Sequence, residues 1–251
     1  MRQSDADPQY GQGSERRQSN CFACQNRAQS EWFALADEEL GFLNQAKVCN
    51  VYKPGQIIFY QGNPCLGIHC IESGSVALRK TDANGHTVIA RLFHAGSTLG
   101  YLDYFSSQPY SGTAEALTRT RVCFVDRGAV RQLLERNPAI GYRFLGTMAR
   151  DLRDAEQSKL ELVALPLRAR LAHLLLVLKE RFGEVAEDGT LAIRLPLSRQ
   201  DIAALLGARP ESVSRAIRQL AAARVAQFRG RVVHVPDLDP LLDELEDQSA
   251  P

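Results

Sequence analysis

The fold is decided by residues 197–223, which read LSRQDIAALLGARPESVSRAIRQLAAA. Ser198 is a residue type that caps helices, and Asp201 follows it at the spacing of a capping box. Gly207 suits the tight turn that would end this first helix, and Pro210 suits the first turn of a second helix. The stretch therefore predicts two short helices joined by a turn, the arrangement of a helix-turn-helix.

The second helix, predicted over residues 210–223, has two different sides. Apolar residues recur at spacings of four and three and predict packing on a core: Val213, Ile217 and Leu220. The other side carries an acid, a hydroxyl and two guanidinium groups: Glu211, Ser214, Arg215 and Arg218. A surface helix with solvated charges is the alternative. The cap, the turn glycine and two strand-like segments around Gly230, which would form a wing, favour a displayed recognition helix.

The outward residue types suit the major groove of duplex DNA. Arg donates two hydrogen bonds to guanine, Glu accepts one from the cytosine amino group, and Ser is adaptable. This outward side is therefore predicted to contact the edges of the bases. Further arginines are predicted to neutralise phosphates: Arg199, Arg209, Arg218, Arg229 and Arg231.

Charge is unevenly distributed, although the whole chain carries a net charge of only +1. Residues 166–235 contain twelve Lys/Arg and six Asp/Glu, whereas residues 236–251 contain six acids and no base. A basic segment followed by an acidic tail agrees with a polyanionic partner. No apolar run approaches the ~18 residues of a membrane span, and the N-terminus lacks a signal peptide, which predicts a cytoplasmic protein without membrane contact.

The motifs of the common hydrolases and nucleotide-binding enzymes, such as the Walker loop, H-E-x-x-H and G-x-S-x-G, do not occur, so we do not expect an enzyme. A ligand-binding module without DNA function is a further alternative. The predicted base-reading residues argue against it.

The N-terminal half changes from disorder to strands to helix. Residues 1–20 are too polar to fold. Residues 50–126 alternate short strand-like runs with glycine-bearing turns, the pattern of a barrel or sandwich. Residues 138–163 then show helical spacing, which predicts either packing on the same domain or, as we favour, a dimer seam. The seam residues are Phe144, Met148, Leu152 and Ala155.

A β-roll, a long helix and a winged helix-turn-helix, in that order along the chain, resemble the CRP/FNR superfamily of bacterial transcription regulators. The sequence ESVSR (residues 211–215) is similar to the E-x-x-S-R recognition helix of the FNR branch of this superfamily. Carried over to this sequence, the motif implies that Glu211, Ser214 and Arg215 read base edges. The resemblance also implies an α+β fold and a homodimer on an inverted repeat with TTGA-like half-sites, with RNA polymerase as a further partner. It implies these parts: a disordered tail (1–20), a sensor β-roll like the cyclic-nucleotide-binding jelly roll (21–137), a dimerisation helix (138–165), a winged helix-turn-helix (166–236) and an acidic tail (237–251).

Cyclic AMP binding is not expected. Members that bind it have a Glu after the glycine near the end of the roll, and an Arg-Ser pair about ten residues later. Here Tyr101 follows Gly100, and Pro109, Tyr110 and Ser111 supply no Arg. A buried phosphate without a guanidinium partner is costly.

The cysteines offer another signal. FNR proteins hold an iron–sulfur cluster with three N-terminal cysteines and one cysteine in the roll. Cys21, Cys24 and Cys123 resemble three of these ligands, but Ser30 stands where the third N-terminal cysteine would be, and a hydroxyl is a poor cluster ligand.

Several alternatives stay open for the signal. Cys49, Cys65 or Cys70 would complete a cluster if folding brings one of them close, although a lone Cys in a strand is more often a small buried hydrophobe. Cys21 and Cys24 alone would make a dithiol switch. All six cysteines are expected to be reduced in the cytoplasm. A haem-dependent regulator is another alternative, with a histidine of the roll as the haem ligand. The spacing of the candidates does not single out any one of them: His69, His86 and His94.

Overall fold

The computed structural model of the chain describes residues 19–185 and 189–246. The segment expected to be disordered, residues 1–20, falls outside the described residues except for residues 19 and 20. Residues 247–251 of the expected acidic tail also lie outside them. Three short 3-10 helices open the described chain: Cys21–Ala23, Arg27–Gln29 and Glu31–Ala34.

The N-terminal domain is an antiparallel β-roll, as the turn pattern predicted. Its strands are β1 (Val48–Tyr52), β2 (Ile57–Phe59), β3 (Gly67–Ser73), β4 (Ser75–Thr81), β5 (Thr87–His94), β6 (Thr98–Leu99), β7 (Thr113–Ala116) and β8 (Thr120–Asp126). One sheet has the order β1-β8-β3-β6 and the other the order β2-β7-β4-β5. Apolar side chains from both sheets share one core.

A turn glycine joins β3 to β4 where no other residue fits. Gly74 has a φ of +92°, and a Cβ there would lie 2.4 Å from Thr120 Oγ1 and 2.6 Å from Thr120 Cα. Any side chain would therefore both strain the backbone and collide with β8.

Three helices pack on the roll: α1 (Asp37–Ala46), α2 (Tyr101–Ser106) and α3 (Arg127–Arg136). None of the three was predicted from the sequence. Helix α3 had a readable signal, because the Asp126 carboxylate caps it by accepting from the N–H groups of Gly128 at 2.8 Å and Ala129 at 3.1 Å. Leu40 of α1 and Leu133 of α3 are completely buried, so both helices complete the core.

The long helix predicted over 138–163 is α4, Ala139–Ala164. The predicted dimer seam is wrong at its first residue. Phe144 has no exposed surface and packs against the rings of Trp32, Tyr101 and Phe105 of its own domain. Met148 also packs partly on that core, whereas Leu152 is 63% exposed.

Two adjacent faces of α4 are therefore apolar. The face that contains Phe144 is covered by the β-roll domain. The exposed stripe, shifted by about one residue around the helix, contains Leu145, Leu152, Leu160 and Val163.

The C-terminal domain has the predicted winged helix-turn-helix order. Its elements are α5 (Leu167–Phe182), β9 (Gly183–Val185), β10 (Leu191–Arg194), α6 (Arg199–Leu205), α7 (Pro210–Ala222), β11 (Gln227–Arg229), β12 (Val232–Val235) and α8 (Asp239–Glu246). The strands form one sheet of order β11-β12-β10-β9, and α5 and α7 pack together over it.

The expected acidic tail, 237–251, needs a correction. Its described part contains helix α8, in which Leu241 is completely buried in the core of the C-terminal domain. Glu244 forms an ion pair with Arg168 of α5. Acidic composition hid the apolar positions that hold this helix in place.

Among residues 19–185 and 189–246, none of the helices combines the length and apolar character that a bilayer crossing requires.

Candidate functional site

Local side-chain contacts fix the start of α6 and the turn before α7. The Ser198 hydroxyl accepts from the Asp201 N–H at 3.1 Å, and the Asp201 carboxylate accepts from the Ser198 N–H at 2.8 Å. Gly207 has a φ of +58°, and Pro210 opens α7. These four features are those that the sequence predicted.

Helix α7 has one buried side and one exposed side. Val213, Ala216, Ile217 and Leu220 are buried in the core of the C-terminal domain. Glu211, Arg215 and Arg218 are exposed, and Ser214 is partly exposed between them. The residues predicted to read bases therefore share one outward surface.

The other arginines predicted to meet phosphates surround this surface. Each is exposed: Arg199 begins α6, Arg209 caps α7, and Arg229 and Arg231 flank the wing turn at Gly230. Arg218 donates from Nε to the Ser214 carbonyl at 3.4 Å, which leaves the rest of its guanidinium facing outward.

An ion-pair network joins the roll to the helix-turn-helix. Arg79 of β4 donates to Glu115 of β7 at 2.5 Å and to Asp201 of α6 at 2.6 Å. Burial alone would raise the pKa of the Asp201 carboxyl. Hydrogen bonds from Ser198 and Arg79 outweigh burial and hold that pKa below its ordinary value. Asp201, which completes the capping box of α6, is thus also a contact with the β-roll.

A second site is a cavity between the N-terminal 3-10 segments, α1 and the sheet that contains β3 and β8. The space free of protein atoms is about 530 Å³, including the cavity's open mouth. The thiol-bearing residues that line it are Cys21, Cys24, Cys70 and Cys123, and its other polar lining includes Ser30, Lys47 and Glu72.

The structure pairs Cys123 with Cys49 in a disulfide, which corrects the expectation that all cysteines are reduced. Strands β1 and β8 run antiparallel in a register that sets Cys49 directly opposite Cys123, with their Cα atoms 4.0 Å apart. Cys123 also lies 3.7 Å from a Glu72 carboxylate oxygen.

Cys70 is the residue that the sequence analysis undervalued. The register of β3 on β8 sets Cys70 opposite Cys123, and the indole N–H of Trp32 donates to the Cys70 sulfur at 2.9 Å. Burial raises the pKa of the Cys70 thiol to about 12. Burial likewise raises the pKa of the Cys21 thiol, against the opposing effect of Lys47. The sequence signal was the pair of strand-like runs GIHCIES and RVCFVD, each with one cysteine.

Ser30 and Cys65 have other partners. The Ser30 hydroxyl donates to the Arg27 carbonyl at 2.8 Å. Cys65 is buried on the roll side, with its sulfur 3.4 Å from the Gly67 carbonyl, and does not line the cavity.

Tyr101 and Tyr110, which stand in the stretch compared with the cyclic-nucleotide-binding motif, are buried aromatic side chains. Tyr110 stacks on Phe59 with ring centroids 3.9 Å apart, and its hydroxyl donates to the Gly67 carbonyl at 3.0 Å. These positions agree with the expectation that cyclic AMP does not bind, which remains a prediction.

The histidines considered as haem ligands lie in different surroundings. His69 is buried among Phe59, Tyr110 and Phe124, and burial lowers its pKa to about 4. Burial, with nearby Arg181 and Arg91, lowers the pKa of His94 to about 4. His86 lies exposed beside Asp82.

Comparison with known families matches both domains. Residues 49–137 match the family described as cyclic nucleotide-binding domain, and residues 169–244 match the Crp-like helix-turn-helix domain.

Whole-length relatives agree with these matches. The chain is 28% identical to transcriptional activator protein anr of Pseudomonas aeruginosa, covering 88% of this chain and 90% of the relative. It is 28% identical to the CRP-like cAMP-activated global transcriptional regulator of Mycobacterium tuberculosis, covering 74% and 83%. Among solved structures, FixK2 from Bradyrhizobium japonicum superposes with a TM-score of 0.68 at 26% identity, covering 82% of this chain and 98% of that one.

Proposed function

The chain belongs to the CRP/FNR superfamily of transcription regulators, and from this premise we propose that it binds, as a homodimer, an inverted repeat with TTGA-like half-sites in response to a redox or oxygen signal at the cysteine cavity. The superfamily consists of transcription regulators rather than enzymes. RNA polymerase is the further partner that we propose on family resemblance.

The exposed side of α7 is the observation that carries the DNA part of the proposal. Glu211, Ser214 and Arg215 lie together there, over a helix anchored by buried Val213 and Ile217. A helix with this outward chemistry enters the major groove and reads base edges. The surrounding arginines add contacts to phosphates, which position the helix without reading sequence.

The exposed stripe of α4 supports the dimer. Leu145, Leu152 and Val163 are 60%, 63% and 82% exposed in the single chain. Apolar side chains that recur along several helical turns are covered in a stable protein, and a second copy of the same helix supplies a matching stripe. A parallel pair of α4 helices would hold two α7 helices for two half-sites.

The cysteine cavity supports the signal. Its thiols come from the N-terminal segment and the roll, and the ring of Trp32 links that region to α4 by packing edge-on against Phe144, with ring centroids 5.8 Å apart. Glu31 also accepts from Thr147 of α4 at 2.9 Å. A change at the cavity therefore has a packed route to the helix on which two subunits would shift.

The donor set of the cavity suits the iron–sulfur cluster that the family resemblance implies, because thiolates are the ligands such clusters prefer. Cys21, Cys24 and Cys123 would hold it as predicted, with Cys123 first released from its disulfide. A bound cluster would supply sensitivity to oxygen. Lys47 and Glu72 set the charge around the cavity, and α1 covers one side of it.

Titration of labelled DNA tests the proposal. The protein should bind a palindrome with two TTGA half-sites more tightly than a scrambled duplex of equal length. Inserting about five base pairs between the half-sites, half a turn of DNA, should abolish the preference, because the two helices then face different sides. Equal affinity for all three duplexes would contradict the proposed function.

A further inference from the structure

We propose that Cys70 supplies the thiolate that Ser30 cannot, so that Cys21, Cys24, Cys70 and Cys123 together hold an iron–sulfur cluster. The inference rests on the proposed signal at the cysteine cavity and names the ligand that the family spacing leaves missing. Four thiolates are the number that both two-iron and four-iron clusters take.

The position of Cys70 in the sheet supports this role. Cys70 and Cys123 are direct cross-strand partners on β3 and β8, and both line the cavity into which Cys21 and Cys24 also face. Cross-strand partners in an antiparallel pair point to the same side of the sheet with their Cβ atoms about 4.5–5.5 Å apart. The roll therefore presents two adjacent thiols where the family pattern requires one.

Three rival positions, Ser30, Cys65 and Cys49, already have other partners. The hydroxyl of Ser30 is committed to the Arg27 carbonyl. The sulfur of Cys65 lies near the Gly67 and Gly100 carbonyls, away from the cavity. Cys49 is bonded to a lining residue but does not itself line the cavity.

The Cys70 sulfur also accepts a hydrogen bond. The Trp32 N–H donates to this sulfur at 2.9 Å. An N–H donor directed at a sulfur stabilises a thiolate ligand and is a recognised means of tuning a cluster. Trp32 has little exposed surface, so this donor has no water to turn to if the sulfur is removed.

The disulfide describes the alternative state of the same site. Ligation by Cys123 requires reduction of the Cys49–Cys123 bond, in which a dithiol reductant gives two electrons and two protons and becomes a disulfide itself. The freed Cys123 thiol then loses its proton when it binds iron. Cys49 is thus a competitor for Cys123 rather than a ligand.

The test is anaerobic reconstitution of the full chain with ferrous iron, sulfide and a dithiol, followed by measurement of iron, acid-labile sulfide and the visible absorption spectrum. Wild type should hold a cluster. Cys70→Ser should lose it, while Ser30→Ala, Cys49→Ser and the matched buried-cysteine control Cys65→Ser should keep it. Circular dichroism through thermal unfolding checks that each variant is folded.

A second variant keeps the test decisive if Cys70→Ser folds poorly. The double replacement Cys70→Ser with Ser30→Cys restores the family spacing and should recover the cluster. A folded Cys70→Ser protein with wild-type iron would overturn the role of Cys70. Loss of iron from Cys49→Ser would also overturn it, because Cys49 would then be the ligand. Either result would still support a cluster in the wild-type protein. Wild type without iron or sulfide would overturn the cluster altogether.

Discussion

The proposed DNA-reading surface comes from the continuous segment 199–231, whereas the cysteine cavity draws its thiols from three separated places along the chain, Cys21 and Cys24, Cys70, and Cys123. The side chains of the first region are mostly exposed, and each would meet its own part of the DNA. Those of the second line one cavity. A substitution on α7 should therefore remove one contact, while a substitution in the cavity alters a shared site.

Substitutions in the proposed dimer interface are expected to change DNA affinity most. The interface would hold the two α7 helices at their half-sites, and it would carry any change at the cysteine cavity to them. Replacing Leu145 and Leu152 together by Glu places two charges in the exposed stripe of α4. We expect monomers whose affinity for the inverted repeat is about 10²–10⁴-fold lower, since the second half-site is no longer linked to the first. Analytical ultracentrifugation and DNA titration measure both outcomes.

Ser158→Glu is the matched control, because Ser158 is exposed on the opposite side of α4. It should leave assembly and binding unchanged. If the double variant remains dimeric, the interface does not lie on the exposed stripe of α4.

Arg215→Ala should give the next largest effect and tests whether contacts on α7 are separable. The variant should lose about 1–3 kcal/mol of discrimination per half-site at one base position, because a bidentate Arg contact to guanine is removed. Titration against a set of single-base operator variants measures this. Arg131→Ala, which removes the same charge from an exposed position on α3, is the control. Equal losses on operator and random DNA would deny Arg215 a role in base reading.

Arg231→Ala should have a smaller and different effect. Arg231 is exposed in the wing and would contact phosphate, so its loss should weaken binding to all sequences alike. The slope of log affinity against log salt should fall by about 1 per half-site contact. A change in sequence preference without a change in slope would contradict the assignment.

The smallest effect on DNA affinity is expected from Ser198→Ala, which acts on folding. Loss of the cap should lower the free energy of unfolding by about 0.5–2 kcal/mol. Denaturant unfolding followed by circular dichroism measures it.

The same cap has a pH signature. The pKa of Asp201 is lowered in the folded protein below its ordinary value of 3.8. Its contribution to stability is therefore present above that value and lost as the pH falls through the lower, folded pKa. Ser198→Ala should reduce this acid-dependent loss, and an identical pH dependence in both proteins would show that Arg79 alone sets it.

The two regions also differ in how far the sequence predicted them. The α6–α7 unit was predictable because its signals are local: Ser198 caps at short range, Gly207 turns the chain, and Pro210 starts a helix. Errors arose where packing decides. The two apolar faces of α4 have the same kind of sequence pattern. Phe144 is buried because the β-roll packs on one of them, which the pattern does not reveal. Cys70 read as a buried hydrophobe, because its neighbours depend on the register of β3 on β8.

The central claim is that the cysteine cavity governs DNA reading by α7. The direct measurement titrates operator DNA with anaerobically purified wild type and with a Cys21→Ser, Cys24→Ser double variant, before and after exposure to air. The account predicts that air changes the affinity of wild type by about 5–150-fold, the usual range of coupling between sites, and leaves the variant unchanged. Identical affinities for both proteins under both conditions would contradict it.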